Sequence, residues 1–393
     1  MSTYKWEKNT EKTSKLNKEM PPQVLFVERC LQLLKPGGRL GLIIPETYFH
    51  APRSQYVMNF IAQHNITCLL DLPHNTFRPH NNAKCIAIFL EKDRPQQDKI
   101  MMCVAEEMGH DHQGKEIYRW DYKNKKSTNE IWDDLEIIQK EVVEYQRNPS
   151  SFTETTNVFF IDKEYVIKSK VYVPRYYWKK KEEIIEDQAK ELGFNLVRVS
   201  DLIDEGILSH FDGHGSPESE NKGKGDVPYI RVKDIVNWDV YKDPTSLIPE
   251  HVYKDMFREN KKLFEEDILY VRRGSYRIGS VAMLSPNDSE VLLTREILVL
   301  RIKDTNNKYN LTSFYLLFAL SHWITQEQAK NKVLIETTLP NIADRWKELL
   351  IPIPSDPNDV SKISKIIENS IRKKWDSLNE IKKISDSYGP IIT

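Results

Sequence analysis

The stretch Leu34 to Pro45, LKPGGRLGLIIP, constrains this chain more than any other. An apolar helix ends at a Pro-Gly-Gly turn, and the chain passes at once into an apolar run. Proline cannot continue a helix and glycine takes the left-handed conformation that closes one, so residue type fixes the turn. From Leu42 to Ile44 no residue is polar, the mark of a strand covered on both faces. Such a unit belongs in the interior of a doubly wound α/β layer, yet only 33 residues precede it.

The flanking sequence extends the layer. Residues 21 to 34, PPQVLFVERCLQLL, put Val24, Phe26, Val27, Cys30, Leu31 and Leu34 on one helical face. Pro22 falls in the first turn, where a missing N–H is harmless. A second amphipathic helix is expected over about 52 to 63. Strands are expected at 65 to 73 (NITCLLDLP), 83 to 92 (AKCIAIFLEK) and 99 to 107 (KIMMCVAEE). Strand and helix alternate to about residue 92, which predicts an α/β layer. GHDHQGKEIYRWD reads as a hairpin or loop, 127 to 147 as a charged helix, and 148 to 157 as a polar loop. VYVPRYYWKKKEEIIEDQAKELGF then reads as a connector with a helix.

From about 196 to 353 the pattern changes to short strands and Gly-rich turns: VPYIRVKDI, DILYVRRGSYRIGSVAML and EILVLRI. One helix, FYLLFALSHWITQEQAK at 314 to 330, interrupts them. Over 357 to 385, Val360, Ile363, Ile366, Ile367, Ile371, Trp375 and Leu378 recur at helical spacing, predicting a closing helix or coiled-coil arm.

Several function classes are disfavoured. No apolar run reaches the roughly 18 residues of a membrane helix, and the Lys-rich start, MSTYKWEKNTEKTSKLNKEM, has no apolar signal core. A soluble cytoplasmic protein with no membrane partner is expected. Cys30, Cys68, Cys85 and Cys103 form no CxxC pair and read as buried free thiols rather than a zinc or disulfide framework. His110-Asp111-His112 lacks a completing ligand and reads as a solvated loop, so no metal is expected. The GxG patterns at Gly213-His214-Gly215 and Gly223-Lys224-Gly225 lie in a polar loop, not in the strand-to-helix turn of a nucleotide fold.

What remains is basic and aromatic. Net charge is −1, so any nucleic acid must be bound by local patches. Val271-Arg272-Arg273-Gly274-Ser275-Tyr276-Arg277 carries three arginines and a tyrosine with no acid, and arginine pairs bidentately with guanine edges or phosphates. Lys222, Lys224, Arg231 and Lys233 form a second cluster. Either alone is more often a solvated surface; together, on one β-rich region, they make a nucleic-acid surface an even alternative.

These residues resemble a known family. PPQVLFVERCLQLLKPGGRLGLIIPETYF is similar to the helix and strand that follow the catalytic tetrapeptide in adenine-N6 DNA methyltransferases of type I and type IIG restriction-modification systems. DLPHNTFRPHNNAKCIAIFLEK resembles the later aromatic-plus-strand motif of the same enzymes. GHGSPESENKGKGDVPYIRVKDI, EEDILYVRRGSYRIGS and KVLIETTLPNIADRWKELLIPIP resemble a type I specificity-subunit target recognition domain. The likeness spans nearly the full chain.

The resemblance implies an α/β fold: a partial Rossmann-like methyltransferase domain, holding the second half of the sheet, plus an α+β target recognition domain and a C-terminal helix. The implied divisions are 1–120 for the methyltransferase half, 121–190 for a helical connector, 191–355 for DNA recognition and 356–393 for the terminal helix or coiled-coil arm. In the family an S-adenosylmethionine loop and an Asn-Pro-Pro-aromatic tetrapeptide precede the Pro-Gly-Gly segment. Here Met20-Pro21-Pro22-Gln23 departs from the tetrapeptide at both ends and suits a helix start better. The expectation is therefore a C-terminal portion, completed by a partner chain that supplies the cofactor site, or a truncated gene. Residues 1 to 20 are too polar to cover a sheet edge well, which favours the partner.

By the same resemblance Phe77 stacks on a flipped adenine, and Lys84 stands where threonine is frequent. The expected contacts to double-stranded DNA are Lys222, Lys224, Arg231, Lys233, Arg272, Arg273, Tyr276 and Arg277. Thr337 and Thr338 are phosphate contacts or, equally, turn and cap residues. The implied function is the recognition and base-flipping part of a split adenine-N6 methyltransferase. The alternatives are a DNA specificity subunit without chemistry and a degenerate remnant.

Overall fold

The computed structural model describes residues 20–274, 277–336 and 339–389. It divides into two compact units, Met1–Glu182 with Leu334–Thr338, and Glu183–Val333 with Leu339–Thr393. Residues 121–182 of the expected connector fall in the first unit and 183–190 in the second.

The first unit begins with helix α1 (Pro22–Leu33), strand β1 (Arg39–Pro45), helix α2 (Gln55–Ile61) and strands β2 (Asn65–Asp71), β3 (Cys85–Glu91) and β4 (Lys99–Val104). A hairpin of β5 (Tyr118–Asp121) and β6 (Lys126–Ile131), helix α3 (Leu135–Arg147) and strand β7 (Val158–Asp162) follow. The sheet runs β1-β3-β2-β4-β7. β3 is antiparallel to both β1 and β2, whereas β2 and β4 are parallel. One face is closed by α1 and α2: Val24, Val27, Leu31, Val57, Met58 and Ile61 pack on Ile44, Ile86, Ile88 and Leu90. On the other face α3 brings Ile138 against Met101, Cys103 and Val158.

That second face is not covered everywhere. Over β1 and the facing part of β3, Ile43 is 54% and Phe89 43% exposed, so the expectation that β1 is buried on both faces fails. Gly41 lies opposite Phe89, and a Cβ there would meet the ring at 3.2 Å, so the Phe89 ring occupies the space a side chain would take. Phe26 also departs from the expected face: it is 68% exposed while Val24, Val27 and Leu31 are buried. A third correction concerns residues 126–131, which form a strand paired with β5, so the charged helix begins only at Leu135. Cys68 and Cys103 are distant in sequence, but β2 and β4 bring their sulfurs to 3.7 Å, with all four cysteines free.

The second unit pairs β8 (Phe194–Arg198) with Leu350–Pro354. Its main sheet orders Val281–Met283, Ile268–Val271, Ile297–Ile302 and then β9 (Leu208–Asp212), all antiparallel. A smaller sheet places Val227–Ile230 between Leu247–Ile248 and Leu292–Leu293. Tyr270, Leu298 and Leu300 pack beneath helix Ser313–Ser321, while Leu269, Val271, Ile297 and Val299 form a core on the opposite face with Ile230 and Leu293. The single helix expected over 314–330 is two, Ser313–Ser321 and Trp323–Lys332. The backbone of His322 is extended there (φ −61°, ψ 141°) and its side chain caps the second helix by accepting from the Ile324 amide.

The closing helix runs Pro357–Tyr388, capped by the Asp356 carboxylate on the Asn358 amide at 2.9 Å. Val360, Ile367, Ile371 and Trp375 bury its inner stripe. Among the described residues no helix is long and apolar enough to cross a membrane.

Candidate functional site

In the second unit three basic residues, Arg231, Lys233 and Arg277, line one cleft of about 430 Å³. Arg231 follows strand Val227–Ile230, Lys233 sits two residues on, and Gly274 and Arg277 come from the turn after Ile268–Val271. Gly274 has φ +102°, a conformation closed to side chains, so the turn that opens the cleft requires glycine. Ser216, Tyr229, Thr294 and Glu296 complete the wall.

The cations are held rather than loose. Arg231 donates to Asp234 at 3.2 Å and to Asp243 at 2.5 Å, and Lys233 reaches the same Asp243 oxygen at 2.9 Å. Hydrogen bonds from the Thr245 hydroxyl, Lys233 and the Thr245 amide, with Arg231 adding to them, hold the Asp243 carboxyl well below the usual carboxylate range. Arg277 donates to the Ile235 carbonyl at 2.9 Å. Arg272 pairs with Asp212 at 3.0 Å, and the backbone of Arg273 bridges to Asn341. Lys222 stands over the Tyr229 ring, 5.6 Å from its centroid, while Lys224 is exposed outside the lining. Thus Arg231, Lys233 and Arg277 line the cleft, Lys222 touches its wall, Arg272 and Arg273 follow strand Ile268–Val271 without lining it, and Lys224 stays apart. Tyr276, Thr337 and Thr338 lie outside the described residues.

The sequence reading missed the acids that tie these cations, and the polar wall as well. Asp234 stands three residues after Arg231, the one pairing that local spacing could have revealed. Asp243 and Asp212 meet their partners only through the fold.

In the first unit Phe77 lies in the loop between β2 and β3, half-buried against Leu72, Cys85 and Ala87. Both ends of that loop are pinned by a buried charge cluster. Asp71, the last residue of β2, is bonded by Lys84 at the start of β3 and by Arg175 through Nε at 2.9 Å and Nη2 at 3.0 Å. Lys84 also donates to the Leu72 carbonyl. Burial alone would raise the Asp71 carboxyl, but the charges of Arg175 and Lys84 outweigh it and hold Asp71 below its ordinary value. Burial likewise pulls Lys84 down, with Arg175 adding to it. Arg175, which is charged under all ordinary conditions, is therefore the partner that keeps Asp71 ionised. Nearby, the buried Glu46 accepts from the Ile335 amide at 2.7 Å, and His50 Nε2 lies 2.9 Å from the Ile335 carbonyl oxygen. Lys84, noted only as a departure from the family pattern, is thus an anchor of the Phe77 loop.

His110 and Asp111 make local loop contacts, the Asp111 carboxylate accepting from the Gln113 and Lys115 amides. No group of three or more His, Cys, Asp or Glu able to hold a metal occurs among the described residues.

With this geometry in view, the family comparisons identify both units. Residues 2–183 match the N-6 DNA methylase model, and residues 205–384 match the type I restriction modification DNA specificity domain. By class, the chain is an N-6 DNA methylase segment joined to a type I DNA specificity domain. More particularly, its first part is related to the N-6 DNA methylases and its second to the DNA specificity domain of type I restriction-modification systems. Among solved structures it is similar to the type IIG restriction endonuclease BpuSI, with 11% identity over 90% of this chain and 44% of that one, at a TM-score of 0.39. It is similar to the HsdS subunit from Thermoanaerobacter tengcongensis, with 14% identity over 63% of this chain and 62% of that one, at a TM-score of 0.28. It is also similar to a type I methyltransferase subunit from Streptococcus thermophilus, with 14% identity over 41% of this chain and 31% of that one, at a TM-score of 0.29. The chain spans less than half the length of BpuSI. No curated protein matches it.

The N-6 DNA methylase family implies S-adenosylmethionine. The GxG turns of this chain do not fit it. A Cβ on Gly213 would lie 2.0 Å from the Thr294 carbonyl oxygen, and one on Gly225 would lie 2.4 Å from the Ile248 backbone. Their glycines accommodate the protein's own main chain and leave no cradle for a cofactor.

Proposed function

We propose that this chain is the DNA-recognition and base-flipping portion of an adenine-N6 DNA methyltransferase, acting on double-stranded DNA in a cytoplasmic restriction-modification or related defence system. The observation that carries this reading is the convergence of Arg231, Lys233 and Arg277 on one cleft of the specificity unit. Cations set around a groove grip phosphates and place the reader over base edges. Lys222, Lys224, Arg272, Arg273, Tyr276, Thr337 and Thr338 are proposed as further DNA contacts. The functional divisions are those near residues 120, 190 and 355.

Phe77 stacks on the extruded adenine, which must leave the duplex before its amine can be methylated. The loop that carries it is fixed at both ends by Asp71 and Lys84, as positioning a base requires. The tetrapeptide and the S-adenosylmethionine site are supplied by a separate methyltransferase half. The apolar patch of Ile43 and Phe89 beside β1, which ends the sheet among the described residues, supports its docking there, since an open edge with exposed apolar side chains is a liability unless it is covered.

The test is incorporation of tritiated methyl groups from S-adenosylmethionine into mixed-sequence duplex DNA. This chain is assayed alone and with the product of the gene immediately upstream. Incorporation only with both present supports the reading. DNA binding without incorporation in either case would instead support a specificity subunit that does no chemistry.

A further inference from the structure

The cleft that gathers Arg231, Lys233 and Arg277 also contains an acid that the reading above leaves unexplained. Glu296 sits on its wall, two residues after Thr294 and in front of Gly274, where a Cβ would lie 3.6 Å from the Glu296 Cγ. Each of the acids Asp212, Asp234 and Asp243 holds a cation. Glu296 makes no ion pair among the described residues.

What Glu296 does have is a hydroxyl relay. Tyr229 OH donates to Ser216 Oγ at 3.2 Å, Ser216 Oγ lies 3.4 Å from Thr294 Oγ1, and the buried Thr294 hydroxyl donates to Glu296 Oε2. The relay orients the carboxylate and satisfies one oxygen. The other, Oε1, has no hydrogen-bond partner among the described residues. A carboxylate on the wall of a DNA-binding cleft cannot serve a phosphate, because like charges repel. It accepts only from a donor on a base edge. In the major groove the exocyclic amines of cytosine and adenine are the donors, and adenine sets its N7 acceptor beside the amine, where a second carboxylate oxygen is unwelcome. Cytosine N4 is flanked on its own base by the C5–H rather than by an acceptor, and acidic side chains accept from it.

We propose that Glu296 is a specificity-determining residue that accepts a hydrogen bond from cytosine N4 in the target site, with Thr294 as its positioning residue. The inference rests on the assignment of this cleft to DNA and adds the base that one side chain reads.

The experiment is selection of bound duplexes from a randomised pool by the full chain, comparing the wild type with Glu296→Gln and Thr294→Val. The wild type is expected to enrich a site with a fixed cytosine. Glu296→Gln should lose roughly tenfold or more of the discrimination at that position and shift it toward adenine, whose N6 and N7 suit an amide. Thr294→Val should weaken the same position alone, which keeps the inference testable should the first variant fold poorly. Unchanged preferences in both variants, or a uniform gain of affinity for all sequences in Glu296→Gln, would overturn it. The uniform gain would leave Glu296 as a mere charge balance. If the wild type enriches no sequence, the assignment of the cleft to DNA fails, and this inference with it.

Discussion

A single ring and a single imidazole carry the predictions at the scale of the residue. Phe77 has a packing role against Leu72, Cys85 and Ala87 as well as the stacking role proposed for it. Phe77→Leu separates the two, because leucine fills the pocket but has no π-face. Stacking on a base contributes roughly 1–3 kcal/mol. The leucine variant should therefore lose about tenfold in methyl incorporation by the completed enzyme, with thermal stability and DNA affinity close to wild type. His214 makes a pH prediction. It is buried, its Nδ1 accepts from the Leu293 amide at 3.1 Å, and burial lowers its pKa from 6.5 to about 4. The unfolded chain therefore takes up the proton first. Stability from this group is complete above pH 6.5 and is lost as pH falls toward 4, with a slope of at most about 1.4 kcal/mol per pH unit. His214→Asn keeps an acceptor for Leu293 and removes the titration, so its denaturant midpoint should be flatter over that window.

At the scale of the element, the β2–β3 loop depends on charge. Asp71→Asn removes the carboxylate that bonds both Lys84 and Arg175 and leaves the buried Glu46 as the acid near both. Loss of one member of a buried ion pair costs about 3–5 kcal/mol. Urea unfolding should show a loss of that order, partly recovered in Asp71→Asn combined with Lys84→Met; an unchanged midpoint would mean that the cluster is not holding the loop. Elements with a strong local signal were legible in the sequence. The runs RLGLIIP, NITCLLD and CIAIFLE are short, mostly apolar and bounded by turn residues, which marks strands, and the Pro357–Tyr388 helix carries its own stripe and cap. Elements set by distant partners were not. KSTNEI becomes a strand only because Tyr118–Asp121 pairs with it, and the helix break at His322 is invisible in a pattern whose helical period runs straight through it. The same division holds for the candidate site. Its arginines and lysines stand out by type, but Asp243 and Asp212 meet them across the fold, and Glu296 is only one acid among many until the hydroxyl relay is seen.

At the scale of the molecule, the open face of the first sheet makes a prediction about assembly. Ile43→Asp puts a charge on the patch beside β1. It should leave binding of this chain to DNA unchanged and lower methyl incorporation with the added methyltransferase half by at least roughly tenfold, since a charge buried without a partner costs several kcal/mol. The paired cations of the second unit bear on how a chain of net charge −1 finds its target at all. DNA binding usually draws its strength from small ions set free when cations meet phosphates, at about 0.9 in the salt slope for each contact. Here Asp243 is a counterion built into the protein. Arg231 and Lys233 must leave it to reach a phosphate, so part of that ion release is forgone. The affinity for random DNA should therefore fall less steeply with salt than the number of cations in the cleft suggests. Asp243→Asn should steepen the fall and tighten binding to every sequence alike. A protein with its own counterions lingers little on the wrong sites, and the methylating enzyme proposed above has to pass a great many of them to reach the right one.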